Sequence, residues 1–362
     1  MRINNQKILY VMHVSWHWIK QRPQFLAENL SQYFEVNILY KKTILELFTK
    51  SNSPNNCIGI LQLPLSRFKI IQKLNRLIYR LYINKYLKKV DYLWMSSVFD
   101  YSNISDLVDN KVKLVYDCMD DVCEFPHNKK NQNLAAITQK ERRLVERANN
   151  VIVSSNWLKK VISNRYSPKS NVRVVNNALD HNFLNKKLLK KEINYPKKNN
   201  HTDIMYIGTI SEWFNFDLII NVLKNNSNLR LILIGPLAVD IPKHNRIIYL
   251  GSKNHSDLPL YMNKTDALVM PFVINDLVLS VNPVKLYEYI YSGKPIISCN
   301  YEEINQFNEF VYTYDNENDF FKLINDLTLG KLLVDSKKER EDFLYKNTWA
   351  ERSSEISKII SE

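Results

Sequence analysis

The chain is poor in glycine and cysteine, and it has no long apolar run. Only 6 glycines occur in 362 residues, far below the roughly 7% of average usage, so we expect each one to meet a specific backbone need. The 4 cysteines lack both metal-ligand spacing and an even secreted framework, which predicts a reducing cytoplasm. Without a signal-peptide core or an apolar run of roughly 18 residues, any membrane contact is expected to be peripheral.

Acidic residues are missing from one segment, residues 67–89, which carries eight basic ones. The whole net charge of +13 lies in the first half: residues 1–180 hold 28 Lys and Arg against 14 Asp and Glu, and residues 181–362 hold 22 against 23. Within 67–89, apolar residues recur at three-and-four spacing: Phe68, Ile71, Leu74, Leu77, Ile78, Leu81 and Tyr82. This pattern predicts a basic amphipathic helix for an anionic membrane surface; the alternative is a solvated helix packed on its own domain. No nucleic-acid module accompanies it, so we expect no nucleic-acid partner.

Short apolar runs alternate with helical patterns along the chain, which predicts an α/β fold with parallel sheets. The predicted strands are 8–12, 36–40, 92–95, 113–116, 151–154, 172–175, 204–207, 229–234, 247–250, 267–270, 296–298 and 310–314. The polar segment 184–202 interrupts them and is the predicted linker between an N-terminal domain, 1–183, and a C-terminal domain, 203–338. Residues 339–362 are expected to return as helices to the first domain. Ligands of such sheets bind beyond the carboxyl ends of the strands, in a cleft where two sheets face each other.

Residues 282–298 predict a ligand-binding helix followed by a buried strand. Asn282 is suited to the N-cap and Pro283 to the first helical position, and Gly293 is suited to end the helix. The free N–H groups near Val284 and the positive dipole end favour a phosphate. Lys285 and Glu288 share one face, so they offer a cation to a diphosphate and a carboxylate to a ribose diol.

Further candidate residues follow predicted strands at the expected edges of the two sheets. In the second half these are Gly208, Thr209, Trp213 and Gly235. Trp213 is expected either to stack on a base or sugar of the ligand or to pack in the core. In the first half these are Trp16, His17, Arg22, Asp120 and Asp121. Arg22 at a helix start hints at an anionic partner, with a surface ion pair as the alternative. The two aspartates are general-base candidates or helix caps, and His17 is a base candidate or a structural histidine.

Six motifs of the chain resemble segments of the GT-B glycosyltransferases. The second half contains YIGTISEWFNFDLI, LILIGP, MPF and NPVKLYEYIYSGKPIIS, and the first half contains WIKQRPQFL and YDCMDD. The likeness is to family 4 and its teichuronic acid biosynthesis relatives. It implies two Rossmann-like domains facing a cleft, a C-terminal helix crossing back, a nucleotide sugar on the second domain, an acceptor on the first, and no metal or other cofactor.

The resemblance places Glu288 at the second of two glutamates spaced eight apart, the one that holds the ribose hydroxyls. The first glutamate, which meets the donor sugar, falls on Ser280. The Arg and Lys that usually neutralise the diphosphate are replaced by Thr209 and by Phe214 or Asn215. We therefore expect Lys285 and the amides around it to carry that role.

Together these features predict a metal-independent glycosyltransferase, peripheral on the inner face of the cell membrane. It would move a sugar from a nucleotide donor to a glycan acceptor, with a lipid-linked acceptor inferred from the basic helix. Two alternatives remain: a GT-B-shaped sugar-nucleotide epimerase, and a catalytically silent partner subunit. The absence of a Gly-x-x-x-x-Gly-Lys-[Ser/Thr] loop gives nucleotide hydrolysis no support.

Overall fold

The structure is a computed structural model that describes residues 6–17, 20–48, 54–130, 133–185, 192–197 and 200–362. The strands within these ranges are β1 Lys7–Val11, β2 Glu35–Lys42, β3 Cys57–Leu61, β4 Tyr92–Met95, β5 Lys113–Cys118, β6 Asn150–Val153, β7 Val172–Val174, β8 Thr202–Ile207, β9 Leu229–Ile234, β10 Ile247–Tyr249, β11 Ala267–Met270, β12 Ile296–Cys299 and β13 Tyr312–Tyr314. The α-helices are α1 Arg22–Leu30, α2 Leu45–Phe48, α3 Lys69–Leu87, α4 Val98–Ser102, α5 Pro126–Lys130, α6 Leu134–Arg147, α7 Asn156–Tyr166, α8 His181–Asn185, α9 Phe216–Asn225, α10 Leu258–Lys264, α11 Asp276–Ser280, α12 Val284–Ser292, α13 Glu317–Thr328, α14 Lys337–Lys346 and α15 Trp349–Ser361.

The strands form two sheets whose strand pairs are all parallel in the described residues. The first has the order β3-β2-β1-β4-β5-β6-β7, and the second has the order β10-β9-β8-β11-β12-β13. In each sheet the order reverses beside the first strand, at β1/β4 and at β8/β11, and ligands of open α/β sheets bind outside such a point. Strands β4, β9, β11 and β12 are buried along their whole length, as expected where helices cover both faces of a sheet.

The described chain divides into two compact units. Unit 1 comprises Met1–Asn177 and Trp349–Glu362, and unit 2 comprises Ala178–Thr348. The boundary predicted after residue 183 therefore lies inside unit 2, because Leu179 pairs with Thr348 and its N–H donates to the Asn347 carbonyl at 2.9 Å. Residues 186–191 and 198–199 of the predicted linker lie outside the described residues.

The two C-terminal helices belong to different units, which differs from the predicted common segment 339–362. Helix α14 lies in unit 2, where the guanidinium of Arg340 donates to the Ile290 carbonyl at 3.0 Å. Helix α15 packs on α1 in unit 1, with the rings of Phe25 and Trp349 stacked at 5.3 Å between centroids. Across the described residues, no helix combines the length and the apolar character needed to span a bilayer.

Candidate functional site

Two glycines at the carboxyl ends of neighbouring strands form a close-packed junction in unit 2. Gly208 follows β8 with φ +151°, and Gly235 follows β9 with φ +139°. A Cβ atom on Gly235 would lie 2.0 Å from the Gly208 carbonyl oxygen, and one on Gly208 would lie 2.0 Å from Cε of Lys285. Only glycine fits both the backbone conformation and the contacts. The scarce glycines therefore let the Lys285 side chain lie directly against the end of β8.

Helix α12 carries Lys285 in its first turn and is fixed to the end of β8. The buried hydroxyl of Tyr289 accepts a hydrogen bond from the Ile207 N–H at 2.9 Å. The ammonium of Lys285 lies 5.9 Å from the ring centroid of Tyr206, the side chain that precedes Ile207. The cation thus adds to the positive dipole end of a helix at the β8/β11 reversal point, where an anion is favoured.

The start of α12 corrects one prediction. The helix begins at Val284 with Pro283 at the N-cap, one residue later than expected. Asn282 is buried, with 1% of its surface exposed, and its amide donates to Oε2 of Glu303 at 3.3 Å. Its side chain therefore ties the loop before the helix to Glu303. Gly293 ends the helix in the left-handed conformation, with φ +65°, as predicted.

Glu288 lies one turn deeper and contacts a histidine that the sequence analysis did not identify. Nε2 of His255 is 2.6 Å from Oε1 of Glu288, and the side chains are 27% and 12% exposed. His255 lies in the 3₁₀ turn His255–Asp257 before α10, and its ring is 4.8 Å from that of Phe183. The only feature of the sequence that could have indicated His255 as a site residue is its position, shortly after β10 at the carboxyl edge of the sheet.

The remaining donor-site candidates differ in how far they are buried and in what they contact. Thr209 is exposed just after Gly208. Trp213 is half-buried and packs against the core of unit 2, which favours the core-packing alternative. Ser280, at the position of the family's first glutamate, is fully buried and its hydroxyl donates to the Leu277 carbonyl of its own helix at 2.7 Å.

In unit 1, Arg22 is part of a buried ion pair instead of an exposed anion site. Its guanidinium donates from Nε and Nη2 to the Asp117 carboxylate at 3.0 and 2.9 Å, and from Nη1 to the Val175 carbonyl at 2.8 Å. Arg22 and Asp117 are 3% and 0% exposed. This pairing explains a cation at the first turn of a helix, and it corrects the prediction that Arg22 meets an anionic acceptor.

Asp121, predicted as a general base or a helix cap, is engaged in an ion pair. Its carboxylate accepts both Nη1 and Nη2 of Arg165, at 2.9 and 2.7 Å. The neighbouring Glu141 accepts the hydroxyls of Tyr116 and Tyr166, each at 2.6 Å, and burial raises the pKa of its carboxyl group. The Asp121 carboxylate therefore joins α7 to the segment that follows β5.

Asp120, Trp16 and His17 are only partly buried at the carboxyl edge of the first sheet. Nε2 of His17 lies 3.3 Å from the Tyr40 hydroxyl. A further histidine, His13, lies at the β1/β4 reversal point, with Nδ1 2.8 Å from Oγ of Ser96. His13 directly follows a predicted strand but was not among the predicted site residues. Among the residues with described positions, no group of three or more His, Cys, Asp or Glu side chains is arranged to hold a metal ion.

Comparisons with known proteins identify the fold. No family model matches the chain. Over 216 residues it is 22% identical to TuaH of Bacillus subtilis, provisionally named a teichuronic acid biosynthesis glycosyltransferase, and the match covers 56% of this chain and 54% of that relative. The chain thus spans about half the length of the curated relative it matches.

Two solved structures match almost the whole chain. Sucrose-phosphate synthase from Thermosynechococcus elongatus superimposes with a TM-score of 0.70 at 14% identity, over 99% of this chain and 98% of that one. Anabaena Alr3699/HepE in complex with UDP-glucose superimposes with a TM-score of 0.68 at 13% identity, over 99% and 100%. The two-sheet chain therefore has the GT-B fold of these glycosyltransferases.

Proposed function

We propose that this protein is a glycosyltransferase that uses a nucleoside diphosphate sugar as donor. The observation that carries the proposal is the contact of Lys285 with Gly208 at the start of α12. A diphosphate requires a cation and backbone N–H donors, and both meet at this point of unit 2. Glu288, one turn along the same helix, supplies a carboxylate for ribose hydroxyls. Because the similar HepE structure contains UDP-glucose, UDP-sugars are the first donors to test.

In the proposed reaction, the bond between the anomeric carbon and the diphosphate oxygen breaks. A new bond forms to an acceptor hydroxyl oxygen, and that hydroxyl loses its proton. Lys285 and the N-terminal dipole of α12 stabilise the negative charge that grows on the leaving diphosphate, so a metal ion is not required. In unit 1, Asp120 and His17 are the candidates that accept the proton or orient the acceptor, because Asp121 is held by Arg165.

The proposed acceptor is a lipid-linked glycan of the cell envelope, and the proposed location is the cytoplasmic face of the membrane. Two observations support this. The similar protein TuaH is named for teichuronic acid biosynthesis, and the first half of the chain carries all of the excess positive charge. Anionic lipid attracts such charge at about 1 kcal/mol for each lysine or arginine near the surface.

A thermal-shift panel of nucleoside diphosphates and nucleotide sugars tests the donor. We expect at least one to raise the melting temperature, because a ligand at one hundred times its Kd stabilises the folded state by about 2.7 kcal/mol. If none of them stabilises the protein, the proposal fails together with the epimerase alternative.

Incubation of the stabilising nucleotide sugar with and without glycan acceptors separates the three functions. Sugar transfer that requires an acceptor supports the glycosyltransferase. Isomerisation of the donor sugar without an acceptor would identify an epimerase. Donor binding without turnover on any acceptor would favour a catalytically silent subunit.

A further inference from the structure

Helix α3 buries only one narrow stripe of its surface in unit 1. The buried residues are Asn75, Tyr79, Ile83 and Leu87, spaced four apart. The side-chain amide of Asn75 both accepts from the Leu63 N–H at 2.8 Å and donates to the Leu63 carbonyl at 3.1 Å. This face anchors α3 to the segment after β3.

The opposite face of α3 is apolar and exposed. Ile70, Leu74, Leu77 and Leu81 are 72%, 42%, 54% and 61% exposed. At about 100° per residue these four, which we call the insertion stripe, fall within about 60° of arc opposite the buried stripe. An amphipathic helix of a globular protein has one apolar face, whereas α3 has two, and only one of them packs on the protein.

Basic side chains surround the insertion stripe without any acidic residue in 67–89. Arg67, Lys69, Lys73, Arg76, Lys85, Lys88 and Lys89 are exposed. Arg80 is held by Asp106 through two hydrogen bonds of 2.7 and 2.6 Å, so it anchors the helix instead. Long basic side chains beside an apolar face can place their charges at lipid headgroups while their stems lie on the acyl chains.

We propose that α3 lies in the plane of an anionic lipid bilayer, with the insertion stripe at the boundary between headgroups and acyl chains. Charge complementarity selects this occupant, because a surface with seven exposed cations around the stripe would repel a second copy of itself. The inference deepens the partner assigned under the proposed function, and its biological meaning rests on that function. Lipid binding itself is measurable without any donor or acceptor.

Co-sedimentation of the full chain with phosphatidylcholine vesicles, with and without phosphatidylglycerol, tests the proposal. The stripe variant is Leu74→Gln, Leu77→Gln, Leu81→Gln. The matched control is Leu237→Gln, Leu329→Gln, Leu333→Gln, because these leucines of unit 2 are 45%, 58% and 78% exposed. A charge variant is Lys69→Gln, Lys73→Gln, Arg76→Gln.

We expect the wild type and the matched control to bind the anionic vesicles equally. The stripe variant should lose at least about tenfold in partition coefficient, because three apolar side chains no longer enter the interface. The charge variant should also bind less, and its binding should respond less to salt. Wild-type-like binding by the stripe variant would overturn the proposal. A wild type that is dimeric in solution and a monomeric stripe variant would also overturn it, in favour of a second copy on the stripe.

Nucleotide thermal shifts on the same variants separate this inference from the proposed function. The stripe variant should keep both the wild-type melting temperature and the wild-type nucleotide response, because its substitutions lie on an exposed face of unit 1. If nucleotides stabilise no variant, the donor proposal fails while the vesicle result stands. If nucleotides stabilise all variants but vesicles bind none, the membrane inference alone fails.

Discussion

Nε2 of His255 lies 2.6 Å from Oε1 of Glu288, joining a 3₁₀ turn before α10 to the second turn of α12. The contact engages one carboxylate oxygen of Glu288 and so fixes the direction of the other, Oε2. A ribose diol presents two hydroxyl donors to a carboxylate, and their binding improves when the carboxylate is held in advance. Under the proposed function, we infer that His255 is a positioning residue for the donor nucleotide.

We expect Glu288→Ala and His255→Ala to weaken binding of the stabilising ribonucleotide, by about tenfold or more for Glu288 and less for His255, because a hydrogen bond to a charged group contributes about 1.5–3 kcal/mol. Calorimetric titration with the ribonucleotide and its 2′-deoxy and 3′-deoxy analogues is the measurement. The loss should be much smaller for the deoxy analogues, since these lack a hydroxyl that Glu288 would bind under the proposed function.

Two controls accompany this experiment. His255→Gln keeps a donor nitrogen and should restore part of the ribose preference, which a purely structural role would not require. Glu309→Gln neutralises an exposed carboxylate of the same unit and should leave binding unchanged. Equal losses for ribose and deoxyribose ligands would remove the pair from ribose recognition.

Lys285→Met should weaken binding of a nucleoside diphosphate about ten- to a hundredfold, because it removes a charge-assisted contact of about 1.5–3 kcal/mol while keeping the side-chain length. The affinity for the nucleoside without phosphates should barely change. Lys322→Met, on the exposed surface of α13, is the control. A variant that loses affinity for nucleoside and diphosphate alike would place Lys285 in a structural role.

Much of the fold follows from local patterns, whereas the site depends on contacts between distant residues. Every predicted strand corresponds to an observed one, but β3 was missed because Gly59 interrupts its short apolar run. The contact of His255 with Glu288 spans 33 residues, and that of Arg165 with Asp121 spans 44. No periodicity in the sequence encodes such pairs, so the ion pair of Asp121 with Arg165 could not be predicted beside its candidate role as a general base.

Asp121→Asn should lower the stability of unit 1, whereas Asp120→Asn should lower sugar transfer. The first change breaks a bidentate ion pair with the partly exposed Arg165 and should cost about 2 kcal/mol. The second alters a half-buried carboxylate at the carboxyl edge of the sheet, with little effect on unfolding. Urea denaturation and a transferase assay on both variants are the measurements. Normal stability of Asp121→Asn combined with lost activity would return Asp121 to the catalytic candidates.

Gly235→Ala should damage unit 2 more than an alanine at another glycine with positive φ. At Gly235 the new Cβ would lie 2.0 Å from the carbonyl oxygen of Gly208, a backbone atom that cannot rotate away. At Gly330, with φ +67°, a Cβ would meet nothing within 4 Å, so Gly330→Ala shows the cost of a left-handed backbone without a steric clash, about 1–2 kcal/mol.

The excess loss in Gly235→Ala combines the contact between the ends of β8 and β9 with the backbone conformation of Gly235, whose φ is +139°. We expect it to reach about 1–3 kcal/mol by urea denaturation, because relief requires the backbone to shift. The shift would move Gly208 and the Lys285 side chain that lies on it, so nucleotide affinity should fall together with stability. Gly330→Ala should leave nucleotide affinity unchanged. If both variants bind nucleotide like the wild type, the junction of the two glycines does not support the donor site.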